Sequence, residues 1–193
     1  MAYIGSIITG FYLFTSAPGF HKREKWQHLT GWDYAHRGLH DNEHGIPENS
    51  MAAFQRAVDK GYGIELDVHL TADNQLVVFH DDTLTRMCGI NKKISGFLYS
   101  YLQQLRLLGT GEGIPLFKDV LALVDGKVPL IIELKVDGSN QNLLCPLVWQ
   151  LLSGYKGSYC IESFHPFVLQ WFKRHQPQVV RGQLSCNFFK ENP

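Results

Sequence analysis

The sequence has no excess of charge of either sign: 18 Lys and Arg stand against 18 Asp and Glu in 193 residues. That balance supplies no basic field for nucleic acid, so no nucleic-acid partner is expected, and attraction for an anion has to be local. Cysteine is sparse. Cys88, Cys145, Cys160 and Cys186 lie far apart and make no C-x-x-C pair, which excludes a zinc knuckle or a dithiol redox motif. They read as free, mostly buried thiols, which fit a reducing compartment and a cytoplasmic location. The chain also lacks internal repeats and low-complexity tracts.

Charge is missing altogether from one stretch. No residue between Tyr3 and Phe20 is charged, and His21-Lys22-Arg23-Glu24-Lys25 follows at once. The stretch has about the length of a spanning helix. Gly5, Ser6, Thr9, Gly10, Thr15 and Ser16 dilute it, however, and no basic cluster precedes it as a secretory signal requires. Residues 1–30 are therefore set apart as an apolar N-terminal segment in which residues 3–20 are a candidate membrane anchor. Its basic flank would keep the main domain at the cytoplasmic face; the alternative is an apolar helix packed on the domain or on a partner. Residues 31–193 are expected to form one domain.

In that domain short apolar runs alternate with amphipathic stretches, the pattern of βα units and a parallel sheet. The expected fold class is α/β, with candidate strands at residues 32–36, 63–70, 76–80, 128–134, 158–164 and 179–185. The second and fourth are rich in Ile, Leu and Val with little alternation, so both should lie inside the sheet. Asn49 or Ser50 caps a helix whose Phe54, Ala57 and Val58 share a face and which Gly61 ends. Further helices are expected at residues 101–108 after Ser100, around the stripe Phe117, Val120, Leu121 and Val124 before Gly126, around Leu143 to Leu151, and after Pro166.

Parallel strands gather their carboxyl ends on one face, and the unusual polar residues fall there. His36-Arg37-Gly38 ends the first strand, and His80-Asp81 ends the third. Glu65 and Asp67 occupy the second strand and share a face about 7 Å apart. Glu133 and Lys135 end the fourth. Glu65, Asp67 and Glu133 are oxygen ligands suited to one hard cation, Mg²⁺ or Ca²⁺. Arg37 offers a planar fork for phosphate oxygens and Lys135 a second positive charge. Two imidazoles can accept and return a proton near neutral pH. Together these types suit cleavage of a phosphodiester.

The segments AHRG (35–38), PENS (47–50), ELDV (65–68), VVFHDDTLTRMCG (77–89) and ELK (133–135) resemble, in order and spacing, the glycerophosphodiester phosphodiesterase family. The resemblance implies a TIM-barrel hydrolase that cleaves glycerophosphodiesters to an alcohol and glycerol 3-phosphate. It further implies His36 and His80 as the acid/base pair, Glu65, Asp67 and Glu133 as metal ligands, and Arg37 and Lys135 at the phosphate. Glu48 would brace the site by hydrogen bonding. The same groups suit a lyase whose substrate attacks internally to leave a cyclic phosphate. His40, His44, His69 and His165 are assigned to structure or surface, and Asp81 and Asp82 to the loop that orients His80. A full barrel has eight strands in about 250 residues, and about six of the eight βα units are found here. A reading frame cut short is the expected explanation, and an inactive fragment the expected alternative to an enzyme.

Overall fold

The computed structural model describes residues 26–186. The apolar stretch at residues 3–20 lies outside the described residues, as does the end of the domain expected to reach Pro193. Among the described residues no helix is long and apolar enough to cross a membrane.

Strands β1 (Tyr34–His36), β2 (Gly63–Leu70), β4 (Leu130–Leu134), β5 (Tyr159–Ser163) and β6 (Val180–Gln183) lie side by side in the order β1-β2-β4-β5-β6. Every pairing along that path is parallel. The α/β class and the interior positions of β2 and β4 are as expected, and among the described residues the sheet is open, with β1 and β6 at its edges.

Strand β3 (Leu76–Val78) corrects the expectation of a third parallel strand. It pairs antiparallel with the far end of β2, Val68 opposite Val78 and Leu70 opposite Leu76. The cause is the length of the connection: residues 71–75 are too few for a parallel crossover, which needs a dozen or more. They make a tight turn instead, in which the Thr71 N–H donates to the Gln75 carbonyl at 3.0 Å. Asn74 takes the left-handed conformation there, with φ 60°. The sheet thus has five parallel members and one hairpin arm.

Helix α1 (Met51–Lys60) begins where Ser50 Oγ accepts from the Ala53 N–H at 3.1 Å and ends at Gly61, whose φ is 72°. Between the hairpin and β4 run two single helical turns, α2 (Thr85–Cys88) and α3 (Tyr99–Leu102), and then α4 (Phe117–Val124). A continuous helix over 101–108 does not form. Gln103 and Gln104 turn their side-chain amides back onto the Ser100 carbonyl, and the chain breaks before Leu107, with Leu108 at φ 50°. Side-chain bonds to local carbonyls compete with the helical ladder in this way. Helices α5 (Gln141–Leu152) and α6 (Pro166–His175) form where expected, Pro166 standing at the first helical turn, but the buried face of α5 is Leu144, Cys145, Val148 and Leu152, and Leu143 of the expected stripe is exposed.

The packing divides into two cores. Ile64, Leu66 and Val68 of β2 and Leu130, Ile132 and Leu134 of β4 point at the helices and meet Phe54, Phe117, Val120, Val148 and Phe172. Alternation along the strands then sends Glu65, Asp67 and Glu133 to the opposite face. A smaller core of Val77, Phe79, Leu84, Met87, Ile94, Leu102, Leu107 and Ile114 lies wholly within the segment between β2 and α4. All four cysteines are free, but only Cys145 is buried; the other three are half-buried, a smaller buried share than expected.

Candidate functional site

The register of the parallel strands assembles the site. His36 lies beside Glu65, and Asp67 beside Glu133. Glu65, Asp67 and Glu133 bring one carboxylate oxygen each within 4.8 Å of one another. Burial, and then the Asp67 charge, push the Glu65 carboxyl up to about 8. Burial likewise raises Glu133, to about 7, against the pull of Lys135. Lys135 Nζ sits 2.7 Å from Glu133 Oε1 and 3.1 Å from Asp67 Oδ1. Although burial alone would lower its pKa, these two carboxylates hold it above the usual lysine value. One ammonium does not balance three carboxylates, two of them buried and Glu65 largely so. Asp67 Oδ1, fully buried, has no well-aligned hydrogen bond, and the surplus oxygens suit a hard divalent cation.

Arg37 joins the carboxylates to Glu48. Its backbone N–H donates to Glu65 Oε2 at 3.0 Å and its Nη1 to Glu48 Oε1 at 2.8 Å. Its Nε is buried without a hydrogen-bond partner, 3.9 Å from Asp67 Oδ2. A buried donor in that state is costly unless a ligand oxygen meets it. Arg37 and Asn49 both hold positive φ, 56° and 54°, and the Asn49 N–H donates to the Arg37 carbonyl at 2.9 Å. Side chains held in this region cluster at binding sites.

The two imidazoles differ. His36 is exposed, with Nε2 3.8 Å from Glu65 Oε2; partial desolvation first, and the Arg37 charge second, lower its pKa from the ordinary histidine value. His80 is brought back towards the carboxylates by the antiparallel β3, as the Phe79 N–H donating to the Asp67 carbonyl at 3.0 Å makes plain. Its Nδ1 is 2.7 Å from Asp81 Oδ1. His69, buried and held below the usual histidine pKa by that burial, has Nε2 3.2 Å from the His80 carbonyl. Its assignment to structure therefore agrees with its surroundings.

The model of the glycerophosphoryl diester phosphodiesterase family matches residues 36–187. The chain belongs to this family. Among family members, a lysophospholipase D of Rattus norvegicus is 36% identical over 165 residues, covering 79% of this chain and 50% of its own length. A glycerophosphodiester phosphodiesterase of Caldanaerobacter subterraneus subsp. tengcongensis is 40% identical over 163 residues, with 78% and 65% covered. A phosphodiesterase of Oleispira antarctica, solved in complex with the product sn-glycerol-3-phosphate, superposes with a TM-score of 0.73 at 26% identity, over 80% of this chain and 66% of its own. The chain thus spans between half and two thirds of the length of these family members.

Three residues to which sequence reasoning gave no role at the site also stand next to the carboxylates or the groups that brace them. Asn49 donates from Nδ2 to Asp67 Oδ2 at 2.8 Å; it was legible as a helix cap and as part of the 47–50 segment, but not as a partner of Asp67. Glu162 stands beside Glu133 in register, its carboxyl raised by burial and by Asp67; a charged residue at a fifth strand end was the available signal. Arg86, inside the 77–89 segment, bonds both Glu48 and Asp81, and no strand position marked it. Glu48 itself braces rather than faces the carboxylate trio, since both its oxygens are taken by Arg37, Arg86 and Asn42.

Proposed function

We propose that this chain carries the active site of a divalent-metal-dependent enzyme that hydrolyses glycerophosphodiesters to an alcohol and glycerol 3-phosphate. The observation that carries the proposal is the trio Glu65, Asp67 and Glu133, converging within 4.8 Å with Asp67 and Glu133 buried, and His36 and His80 carried by the two strands that pair with β2 along its edge opposite β4. The trio would hold Mg²⁺ or Ca²⁺, which supplies Lewis-acid polarisation of the phosphoryl group and neutralises charge that develops there. Arg37 Nε and the Lys135 ammonium stand where a phosphate oxygen needs donors. His36, its pKa lowered, serves as the proton acceptor for the attacking water. His80 presents Nε2, because Nδ1 is committed to Asp81, and as the ring carrying hydrogen on both nitrogens it gives the Nε2 proton to the departing alkoxide. The product found in the Oleispira antarctica relative and the names of the bacterial relatives support glycerophosphodiesters as substrates.

The test is to assay the 193-residue chain on glycerophosphocholine with Mg²⁺, with Ca²⁺ and with chelator. Cation-dependent release of glycerol 3-phosphate, lost in Asp67→Ala and Glu65→Ala, is expected. Turnover that persists in chelator or in both variants overturns the metal assignment, and a lasting cyclic phosphate identifies internal attack instead of hydrolysis.

A further inference from the structure

We propose that Arg86 is a positioning residue that holds His80 in one tautomer and couples its aim to that of Arg37. The inference rests on His80 being an acid/base group, as argued above. The Arg86 guanidinium grips two carboxylates at once. Nε and Nη2 lie 2.8 Å from Asp81 Oδ2 and Oδ1, while Nη1 and Nη2 lie 2.8 and 2.7 Å from Glu48 Oε2 and Oε1. Both contacts are bidentate, a geometry that a planar guanidinium satisfies and an ammonium does not.

One oxygen of each carboxylate is shared with a second group. Asp81 Oδ1 meets His80 Nδ1 at 2.7 Å, and Glu48 Oε1 meets Arg37 Nη1 at 2.8 Å. An ionised carboxylate only accepts, so His80 Nδ1 must carry hydrogen and Nε2 is the atom left to face the substrate. The chain Arg37–Glu48–Arg86–Asp81–His80 is continuous, and it joins a residue at the end of β1 to one just beyond β3. Arg86 is 44% exposed on its side chain, so solvent screens its pair with Asp81, while its pair with Glu48 is buried on the carboxylate side. What they fix is direction. Without Arg86, Asp81 is free to turn, and His80 can exchange Nδ1–H for Nε2–H.

Arg86→Lys and Arg86→Gln in the full chain test this, each first shown to be folded by circular dichroism. Long-range ¹H–¹⁵N spectra of the histidine side chains read the His80 tautomer without requiring turnover. The native chain is expected to show Nδ1–H, and both variants a mixture with Nε2–H. In the glycerophosphocholine assay kcat should fall by about 10–100-fold, the scale for groups that orient a site from behind, with a smaller change in KM. An unchanged His80 tautomer in either folded variant overturns the inference. Absence of hydrolysis by the native chain would overturn the proposed function while the spectra still decide the role of Arg86.

Discussion

His80 owes its chemical value to its neighbours rather than to its own identity. Asp81 fixes one ring nitrogen, the His69 ring meets its carbonyl, and Phe79 ties the backbone to Asp67. His80→Ala should lower turnover by about two to four powers of ten, measured on the native substrate with Mg²⁺; a loss below threefold would remove it from acid/base chemistry. Glu48 is the complementary case. Burial opposes its ionisation, yet hydrogen bonds from Arg86 and Arg37 overcome that and bring its pKa down to about 2 from 4.5. A depressed carboxylate contributes stability that is present above the unfolded value and lost as pH falls from about 4.5 towards 2. Glu48→Gln should therefore lower the urea midpoint at pH 7 and flatten its decline below pH 4.5; parallel acid limbs would show that the arginine contacts are not its source. At this scale the carboxylates and both histidines were legible because polar side chains interrupt apolar strands, where burying them unpaired is costly. Arg86 was not, because a basic residue in a short polar stretch looks no different from a solvated one.

Helix α1 makes its own start and also positions the site. Ser50 Oγ accepts from Ala53 N and donates to the Pro47 carbonyl at 2.6 Å, and the preceding Asn49 reaches Asp67. Ser50→Ala should destabilise the fold by about 1 kcal/mol, read by urea denaturation. It should also weaken cation affinity, because Asn49 is anchored through the same turn; an unchanged affinity would separate the cap from the site. Capped helices of this kind were readable from Ser50 and Gly61, and Pro166 announced α6 in the same way. Strand β3 was found, but its direction was misjudged. The residues 76–80 have strand character either way, and what decides direction is the five-residue turn, whose Asp73-Asn74 pair favours tight reversal. The helix expected at 101–108 failed for a related reason: its apolar spacing is helical, while Gln103 and Gln104 satisfy local carbonyls by another route.

The whole molecule places its two imidazoles on separately packed bodies. His36 belongs to the parallel sheet and its helices, whereas His80 belongs to the segment that encloses Phe79, Leu84 and Met87. Phe79→Ala should cost about 3–5 kcal/mol in that smaller core. Hydrogen exchange should then quicken across residues 77–114, while the β2–β4 amides stay protected; uniform quickening would show one cooperative unit. This division of cores could not be read from periodicity, which reports a buried face but not which face it meets. The hairpin that joins the two bodies acts as an adjustable spacer. Glu65 and Asp67 precede the turn at residues 71–75 and are held in register by β1 and β4, so changing the length of the turn leaves them in place. Sliding β3 by one two-residue repeat would carry His80 about 7 Å along the strand with its outward face preserved. The separation between His80 and the Glu65, Asp67 and Glu133 carboxylates is thus encoded in a few turn residues that touch neither.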